Sequence, residues 1–233
     1  LRPICSTRRS LRHERSRLEL YANNLSNVHG MPDLPNLAIL YLGTNRLTTL
    51  TGLPEFPVLA NLSLRENQLS DLAGMPSLPL LTELDLEANQ LMSLGEMPDQ
   101  PSLLGLRLRS NLVESLEALP SLSSLETLDA TNNQIRRLAG MPELPALKDL
   151  LAEQNQIADL VGMPDLPSLT LLQLQHNKLV TLEGLSDVPN LADLYLHDNL
   201  LESIEDISHL SALAQVDLRN NAITVSAPLA GMT

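Results

Sequence analysis

The 233-residue sequence is poor in aromatic residues and in cysteine, and it contains no tryptophan. Aromatic residues make up 2% of the chain and apolar residues 43%, so the core must be built from aliphatic side chains, mainly leucine. Cys5 is the single cysteine, which excludes a disulfide or a cysteine-based zinc site within these residues. Because no run of 18 apolar residues is present, we expect no membrane insertion.

The net charge of −13 is unevenly distributed along the chain. Residues 1–17 carry six arginines and one glutamate, whereas residues 18–233 carry 27 acidic residues against nine lysines or arginines. An acidic body repels phosphate, so we expect no nucleic-acid partner. The arginine-rich start could bind an anion, but charged segments without a core are usually solvated.

The dominant feature of the sequence is an asparagine that recurs every 22 residues, without one insertion or deletion. We call these residues the ladder asparagines. They are Asn23, Asn45, Asn67, Asn89, Asn111, Asn133, Asn155, Asn177, Asn199 and Asn221. A fixed repeat of this kind indicates a stack of equivalent backbone units, and therefore a solenoid.

Within each unit the apolar residues change from a three-residue to a two-residue spacing. After Asn45 they occur at intervals of three as far as Leu62, and Leu64 follows after two. A spacing of two predicts a strand with both leucines on its buried face, whereas a spacing of three predicts 3₁₀ turns or extended segments. Fourteen of the 16 prolines lie nine or twelve residues after a ladder asparagine, which an irregular outer face tolerates and a helix does not.

The asparagine and a glycine have predicted structural roles in each unit. The asparagine comes where the chain leaves the strand, and an inward amide can bond to backbone groups of the neighbouring turns. Each such group would cost about 1–3 kcal/mol if it were buried without a partner. Six units carry a glycine seven residues after the asparagine, which predicts a turn at that point.

The pattern Leu-x-x-Leu-x-Leu-x-x-Asn-x-Leu-x-x-Leu resembles the leucine-rich repeat. Its 22-residue length is similar to that of the subfamily with the leucine-rich regulator of type-1 protein phosphatase and the bacterial internalins. Segments such as Met31–Pro35 resemble those of bacterial Leu-Pro-x repeat effectors, whose repeats are about two residues shorter. The resemblance implies an α/β solenoid: a leucine-rich-repeat arc with a ten-strand parallel concave sheet and 3₁₀ or extended convex segments.

Two segments follow from the repeat boundaries. Residues 1–14 form an Arg-rich non-repeat segment, and residues 15–233 hold ten 22-residue repeats. Solenoids need polar caps over their terminal cores, and neither end of the sequence has one. We therefore expect the chain to be part of a longer protein.

Alternation along each strand places the residues six, four and two before the ladder asparagine on the outer face of the sheet. All three tyrosines and several apolar residues fall at these positions, near the two ends of the face. Tyrosine is enriched at the energetic centres of protein interfaces, so we predict that this set binds a protein partner. The set is Tyr21, Ile39, Tyr41, Leu151, Leu171, Asp193, Tyr195 and His197.

The middle of the same face is expected to be a charge ladder whose members pair with one another. Opposite charges on adjacent strands stabilise a sheet by about 0.2–1 kcal/mol per pair, and the alternative use is an electrostatic docking patch. The alternating charges are Asp85, Arg107 and Asp129 four residues before the asparagine, and Arg65, Glu87 and Arg109 two residues before it.

Few residues suggest chemistry. His176 and His197, with Asp193 and Asp198 close by, could together hold a divalent metal. The two histidines are offset by one residue between their repeats, which argues against convergence, so we expect no metal and no cofactor. Since no phosphate loop or nucleophile pocket stands out and an open sheet excludes little water, we expect neither enzymatic activity nor a small-molecule substrate.

The sequence therefore predicts a non-catalytic scaffold that binds a folded protein on the concave sheet, with the cytoplasm as the expected compartment. One alternative is a secreted or surface internalin-like microbial protein that binds a host or neighbouring-cell protein. A second alternative is a regulatory subunit of a type-1 protein phosphatase.

Overall fold

The computed structural model describes residues 16–185, 188–204, 207 and 210–224, and it shows a solenoid with one ten-stranded parallel sheet. The strands, numbered in chain order, are β1 Arg17–Glu19, β2 Ile39–Tyr41, β3 Asn61–Ser63, β4 Glu83–Asp85, β5 Gly105–Arg107, β6 Thr127–Asp129, β7 Asp149–Leu151, β8 Leu171–Gln173, β9 Asp193–Tyr195 and β10 Gln215–Asp217. The predicted leucine-rich-repeat arc is confirmed. The described residues contain no helix, and hence none that could span a membrane. The predicted non-repeat segment at residues 1–14 lies outside the described residues.

The strand register reproduces the period of the sequence. Leu62 of β3 lies beside Leu40 of β2 on one side and beside Leu84 of β4 on the other. In most strands the middle residue is buried and its two neighbours are half-buried on the concave side. The predicted inward and outward positions are therefore confirmed, because equivalent residues stack on each other from one repeat to the next.

The core is a single aliphatic cluster that runs along the stack. Phe56 is the one aromatic residue in it, and the strand leucines are fully buried. Ala130 and Ala152 take the place of the second strand leucine in two successive repeats and are also fully buried. The stack therefore has less apolar packing at one depth beside β6 and β7.

The convex side consists of two tight turns per repeat joined by extended segments. In one repeat the Leu53 N–H donates to the Leu50 carbonyl at 2.9 Å, and the Leu59 N–H donates to the Phe56 carbonyl at 3.1 Å. Each bond spans three residues, which explains the three-residue spacing of the apolar side chains. Within the described residues these remain single turns and do not extend into a 3₁₀ helix.

Proline and glycine match the two turns. Pro57 is the second residue of the turn from Phe56 to Leu59, where a φ fixed near −65° is favourable. Gly52 is the third residue of the other turn and has a φ of 89°, which glycine adopts without steric cost. The predicted turn role of the glycine seven residues after the ladder asparagine is confirmed, since all six of these glycines have a positive φ.

Candidate functional site

The ladder asparagines hold the repeats in register beneath the concave face. Asn45 Nδ2 donates to the Leu20 carbonyl of the preceding repeat at 2.8 Å and to the Leu42 carbonyl of its own repeat at 2.9 Å. Its Oδ1 accepts the Leu25 N–H at 3.0 Å. The same bonds recur along the stack, and the ladder residues from Asn45 to Asn199 are only 6–9% exposed. These amides therefore bond to backbone groups of two neighbouring repeats, from Asn45 to Asn221.

The residue before each ladder asparagine adopts a left-handed conformation that the sequence did not reveal. Its φ lies between 53° and 57° in all ten repeats. We call these residues the edge row. They are Ala22, Thr44, Glu66, Ala88, Ser110, Asn132, Gln154, His176, Asp198 and Asn220. Neighbouring side chains in this row meet: Thr44 Oγ1 donates to Glu66 Oε2 at 3.0 Å.

Three further rows form the concave face. The first, second and third rows hold the residues six, four and two positions before the ladder asparagine. Adjacent strands lie about 4.8 Å apart, so nine steps make each row roughly 43 Å long. A surface of this length is the size of a folded protein's contact face, not of a metabolite pocket.

The predicted residues at the start of the chain come together at one end of this face. Ile39 and Tyr41 belong to β2, in the first and second rows, and Tyr21 lies in the third row of the preceding repeat. The Arg17 guanidinium lies 5.0 Å from the centroid of the Tyr41 ring and so orients that ring. Tyr21 is 57% exposed, with Gly43 as its neighbour in the third row. We call Tyr21, Ile39 and Tyr41 the first flank.

The other predicted residues lie at the opposite end, on β7 to β9 and just past β9, and we call them the second flank. They are Leu151, Leu171, Asp193, Tyr195 and His197. All are half-buried on the concave side. Leu171 lies beside Asp193 in the first row, whereas Gln173 separates Leu151 from Tyr195 in the second. Seven strand steps, roughly 34 Å, separate Tyr41 of the first flank from Tyr195 of the second.

Among the described residues, the tyrosine hydroxyls take no part in holding the fold together. Within the described residues no hydrogen bond involves the side-chain oxygen of Tyr21, Tyr41 or Tyr195. A tyrosine that serves packing usually directs its hydroxyl to an internal partner. These three rings therefore present both an apolar face and a free polar group to the concave side.

The charges in the middle of the face pair in part as predicted. In the third row Arg65 lies 3.4 Å from Glu87, as the alternation predicted. Arg65 also donates to Glu66 of the edge row at 2.9 Å, which lowers the pKa of the Glu66 carboxyl. In the second row, the expected pairing of Arg107 with its neighbouring aspartates is wrong. Arg107 instead binds Glu83 of the first row at 2.8 Å.

The reason lies in the conformation of the aspartates. Asp129 Oδ1 accepts the N–H of Thr131 two residues further on at 3.0 Å, a local turn that draws its carboxylate away from Arg107. At the same time Gly105 leaves a gap between Glu83 and Arg107, because a Cβ there would lie 2.7 Å from Glu83 Oε2. The diagonal pair spans this gap. It is solvent-exposed, so it stabilises the fold by at most about 1 kcal/mol.

The last strand carries a tighter pair. Asp217 accepts the Arg219 backbone N–H at 3.1 Å and binds its guanidinium, with Nε at 2.9 Å from Oδ1. The Arg219 hydrogen bonds lower the pKa of the Asp217 carboxyl to about 2. The Asp217 carboxylate is therefore fully charged at neutral pH.

The histidines that the sequence analysis set aside do converge. His197 Nδ1 lies 2.6 Å from Asp198 Oδ2, and His176 Nδ1 lies 3.8 Å from the same oxygen. The two rings meet edge to face, with centroids 5.2 Å apart. The two histidines meet although they occupy different positions in their repeats. His176 and Asp198 both belong to the edge row and stack directly, and His197 is the residue before Asp198. Asp193, at the first row of the same repeat, takes no part in this cluster.

Comparisons with known proteins agree on the architecture. No family model matches the chain, and no curated protein matches it. Internalin C2 of Listeria monocytogenes is 27% identical with a TM-score of 0.64, over 87% of this chain and 80% of that chain. YopM of Yersinia pestis, a leucine-rich effector protein, is 33% identical with a TM-score of 0.68, over 90% of this chain and 56% of that chain.

A third similar structure is the LRIM1/APL1C complex, at 29% identity and a TM-score of 0.70, over 81% of this chain and 36% of that chain. The chain thus spans little more than half of YopM and about a third of the matched chain in that complex. These three likenesses each cover 81–90% of this chain. Together with the asparagine ladder, they show that this chain is a leucine-rich repeat protein with 22-residue repeats.

Proposed function

We propose that the chain is a non-catalytic scaffold that holds a folded protein partner against its concave sheet through the first and second flanks. One observation carries the proposal: all three tyrosines lie on this face, and their hydroxyls make no hydrogen bond to another described residue. Tyrosine provides a large, rigid contact area with a polar group at its end, which is why it is frequent among the residues that dominate binding energy.

The spacing of the flanks indicates the size of the partner. A ligand that touches Tyr41 and Tyr195 together must span roughly 34 Å, and a standard protein interface of about 800 Å² per partner reaches that far. A metabolite does not. The acidic body also disfavours nucleic acid, since phosphate binding needs a positive surface. A folded protein therefore fits this surface better than a metabolite or a nucleic acid.

The similar structures support this class of function. The LRIM1/APL1C structure is a complex, so a chain of related sequence and fold assembles with another protein. YopM is described as an effector protein. The open concave sheet also gives little exclusion of water, and this supports the proposal that the chain is not an enzyme.

Capture of the partner followed by point variants tests the proposal. Tyr41→Ala and Tyr195→Ala should each weaken binding of the captured protein by more than about 1 kcal/mol, roughly fivefold in Kd. The melting temperature should hardly change, because neither side chain enters the core. Arg46→Ala is the control, since Arg46 is exposed and lies past the strand. Full-strength binding by the double tyrosine variant would show that the concave flanks do not carry the function.

The likeness to internalin C2, which extends over 80% of that chain, favours a second candidate: a surface or secreted protein that grips a protein of another cell. Protease treatment of intact producing cells distinguishes this candidate from the scaffold proposed first, for which the cytoplasm is the expected compartment. Digestion of the protein on intact cells, or its presence in the medium, would favour the internalin-like function. Full protection until the cells are lysed would favour the cytoplasmic scaffold.

A further inference from the structure

We propose that His176, His197 and Asp198 form a binding site for a divalent transition metal of the zinc type, at the edge of the concave face beside β8 and β9. Each residue offers one ligand atom, and the three atoms lie within 4.8 Å of one another. Two imidazoles with one carboxylate form a donor set that suits zinc and its transition-metal neighbours, whereas magnesium and calcium prefer oxygen ligands alone.

The distances allow closure around an ion without a change in the backbone. Zinc binds nitrogen and oxygen ligands at about 2.0–2.2 Å, so tetrahedral ligand atoms lie roughly 3.3 Å apart. His176 Nδ1 is 3.8 Å from Asp198 Oδ2, and His197 Nδ1 is 2.6 Å from it. Side-chain shifts of about 1 Å or less therefore bring these pairs to the required spacing. The ion replaces the direct contact between His197 and Asp198.

The backbone beneath the cluster is fixed by the ladder. The His176 N–H donates to the His197 carbonyl at 3.1 Å, which ties the two repeats together directly under the histidines. Asn199, the next residue after Asp198, is 6% exposed and donates to the Leu174 carbonyl at 2.9 Å. Ligands mounted on such a rigid platform lose little freedom when the ion binds.

One amide orients a ligand, and a second lies beside the cluster. Asn220 Nδ2 donates to Asp198 Oδ1 at 3.0 Å, which leaves Oδ2 for the ion. Gln175 lies beside His197 in the third row, is 7% exposed, and has a buried Oε1 without a hydrogen-bond partner in the described structure. A histidine bound through Nδ1 needs an acceptor for its Nε2–H, usually a carboxylate, a backbone carbonyl or water, and the Gln175 oxygen is an acceptor still available in the same row as His197.

The site has an open side. The side chains of His176, His197 and Asp198 remain 47%, 22% and 34% exposed, so an ion held by them can take a water molecule as its fourth ligand. It lies at the end of the second flank and does not depend on the proposed partner. Metal binding can therefore be measured with the chain alone.

Zinc ion titrated into the full, metal-free chain tests the site by calorimetry. We expect one saturable site per chain. His176→Ala and His197→Ala should each weaken zinc binding by at least about tenfold, and Asn220→Ala by about tenfold through the loss of its bond to Asp198. Ala22 and Ala88 adopt the same left-handed conformation in their own repeats, so alanine at position 220 is compatible with the fold.

His29→Ala is the matched control, because His29 lies in a convex turn beside Gly52 and should leave zinc affinity unchanged. Cobalt ion, whose visible absorption reports tetrahedral nitrogen and oxygen ligands, gives a second readout that a change in stability alone would not produce. Circular dichroism of each metal-free variant confirms that it is folded. The proposal is overturned if zinc binding does not saturate, or if the His176→Ala, His197→Ala double variant binds zinc as the unaltered chain does.

Discussion

Replacement of Asn133 by alanine should lower the free energy of unfolding by about 1–3 kcal/mol. Asn133 is 8% exposed, its Nδ2 donates to the Leu108 and Ala130 carbonyls at 3.0 Å each, and its Oδ1 accepts the Val113 N–H at 3.0 Å. Alanine removes all of these bonds. The size of the loss depends on which backbone groups keep another partner.

The Leu108 and Ala130 carbonyls each keep another hydrogen-bond donor in the variant. Leu108 O also accepts Asn111 Nδ2 at 2.9 Å, and Ala130 O also accepts Asn155 Nδ2 at 3.0 Å, because consecutive ladder residues share their acceptors. In the part of the chain that the structure describes, the Val113 N–H has no such second partner, and Val113 is fully buried. The expected cost is therefore that of one buried unsatisfied donor, about 1–3 kcal/mol, and not a sum over three bonds.

Urea denaturation followed by circular dichroism measures this difference, with Asn132→Gly as the control. Asn132 is exposed and has a φ of 55°, which glycine adopts without strain. In the described part of the chain its side chain bonds only to Ser110 Oγ, at 3.0 Å, and its backbone bond to Glu153 is kept in the variant. Removal of the Asn132 side chain should change stability by no more than about 0.5 kcal/mol. Equal losses for Asn133→Ala and Asn132→Gly would refute the ladder as the source of register and stability.

Three further outcomes are expected. Amide hydrogen exchange should be faster in β6 and β7 than in the strands on either side, because alanine thins the core there; equal protection would contradict this. Gly74→Ala should lower the melting temperature more than Gly30→Ala. Both glycines have a positive φ, but a Cβ at Gly74 would lie 2.6 Å from the Thr51 Cα, whereas a Cβ at Gly30 would meet no atom within 4 Å. Equal decreases in melting temperature would show that the backbone at Thr51 moves to relieve the contact. Carboxyl NMR should find the pKa of Asp217 at about 2, and Arg219→Ala should return it towards the ordinary value of 3.8. Because the pKa of Asp217 is lower in the folded state, the Asp217–Arg219 pair stabilises the fold at pH values above 3.8. This contribution to stability is lost as the pH falls towards about 2.

The fold was predictable because its signal is repeated ten times. The fixed 22-residue spacing, the leucine pair of each strand and the proline positions all follow from backbone geometry, and they led to the observed sheet, turns and ladder. The outward placement of the tyrosines followed from the same alternation. Whether the two flanks bind a partner stays a prediction.

Two features of the candidate site were not predictable from the pattern. The edge row has no compositional signal: residues as different as Ala22, Glu66 and His176 all adopt a φ near 55°. The 22-residue period places His176 and Asp198 at equivalent positions of neighbouring repeats, but it does not show that their side chains meet. The diagonal pair of Arg107 with Glu83 was also missed, because it depends on side-chain rotamers and on the gap above Gly105, which alternation of charge does not describe.

Hydroxyl-radical footprinting of the chain with its captured partner tests most directly whether the concave face is the binding surface. The rate of oxidation reports the exposure of each side chain. Binding should protect Tyr21, Tyr41 and Tyr195, while Met92, which is 62% exposed and lies off the sheet face, keeps its reactivity. Protection of Met92 with no change at the three tyrosines would contradict the concave interface and place the partner on another side of the solenoid.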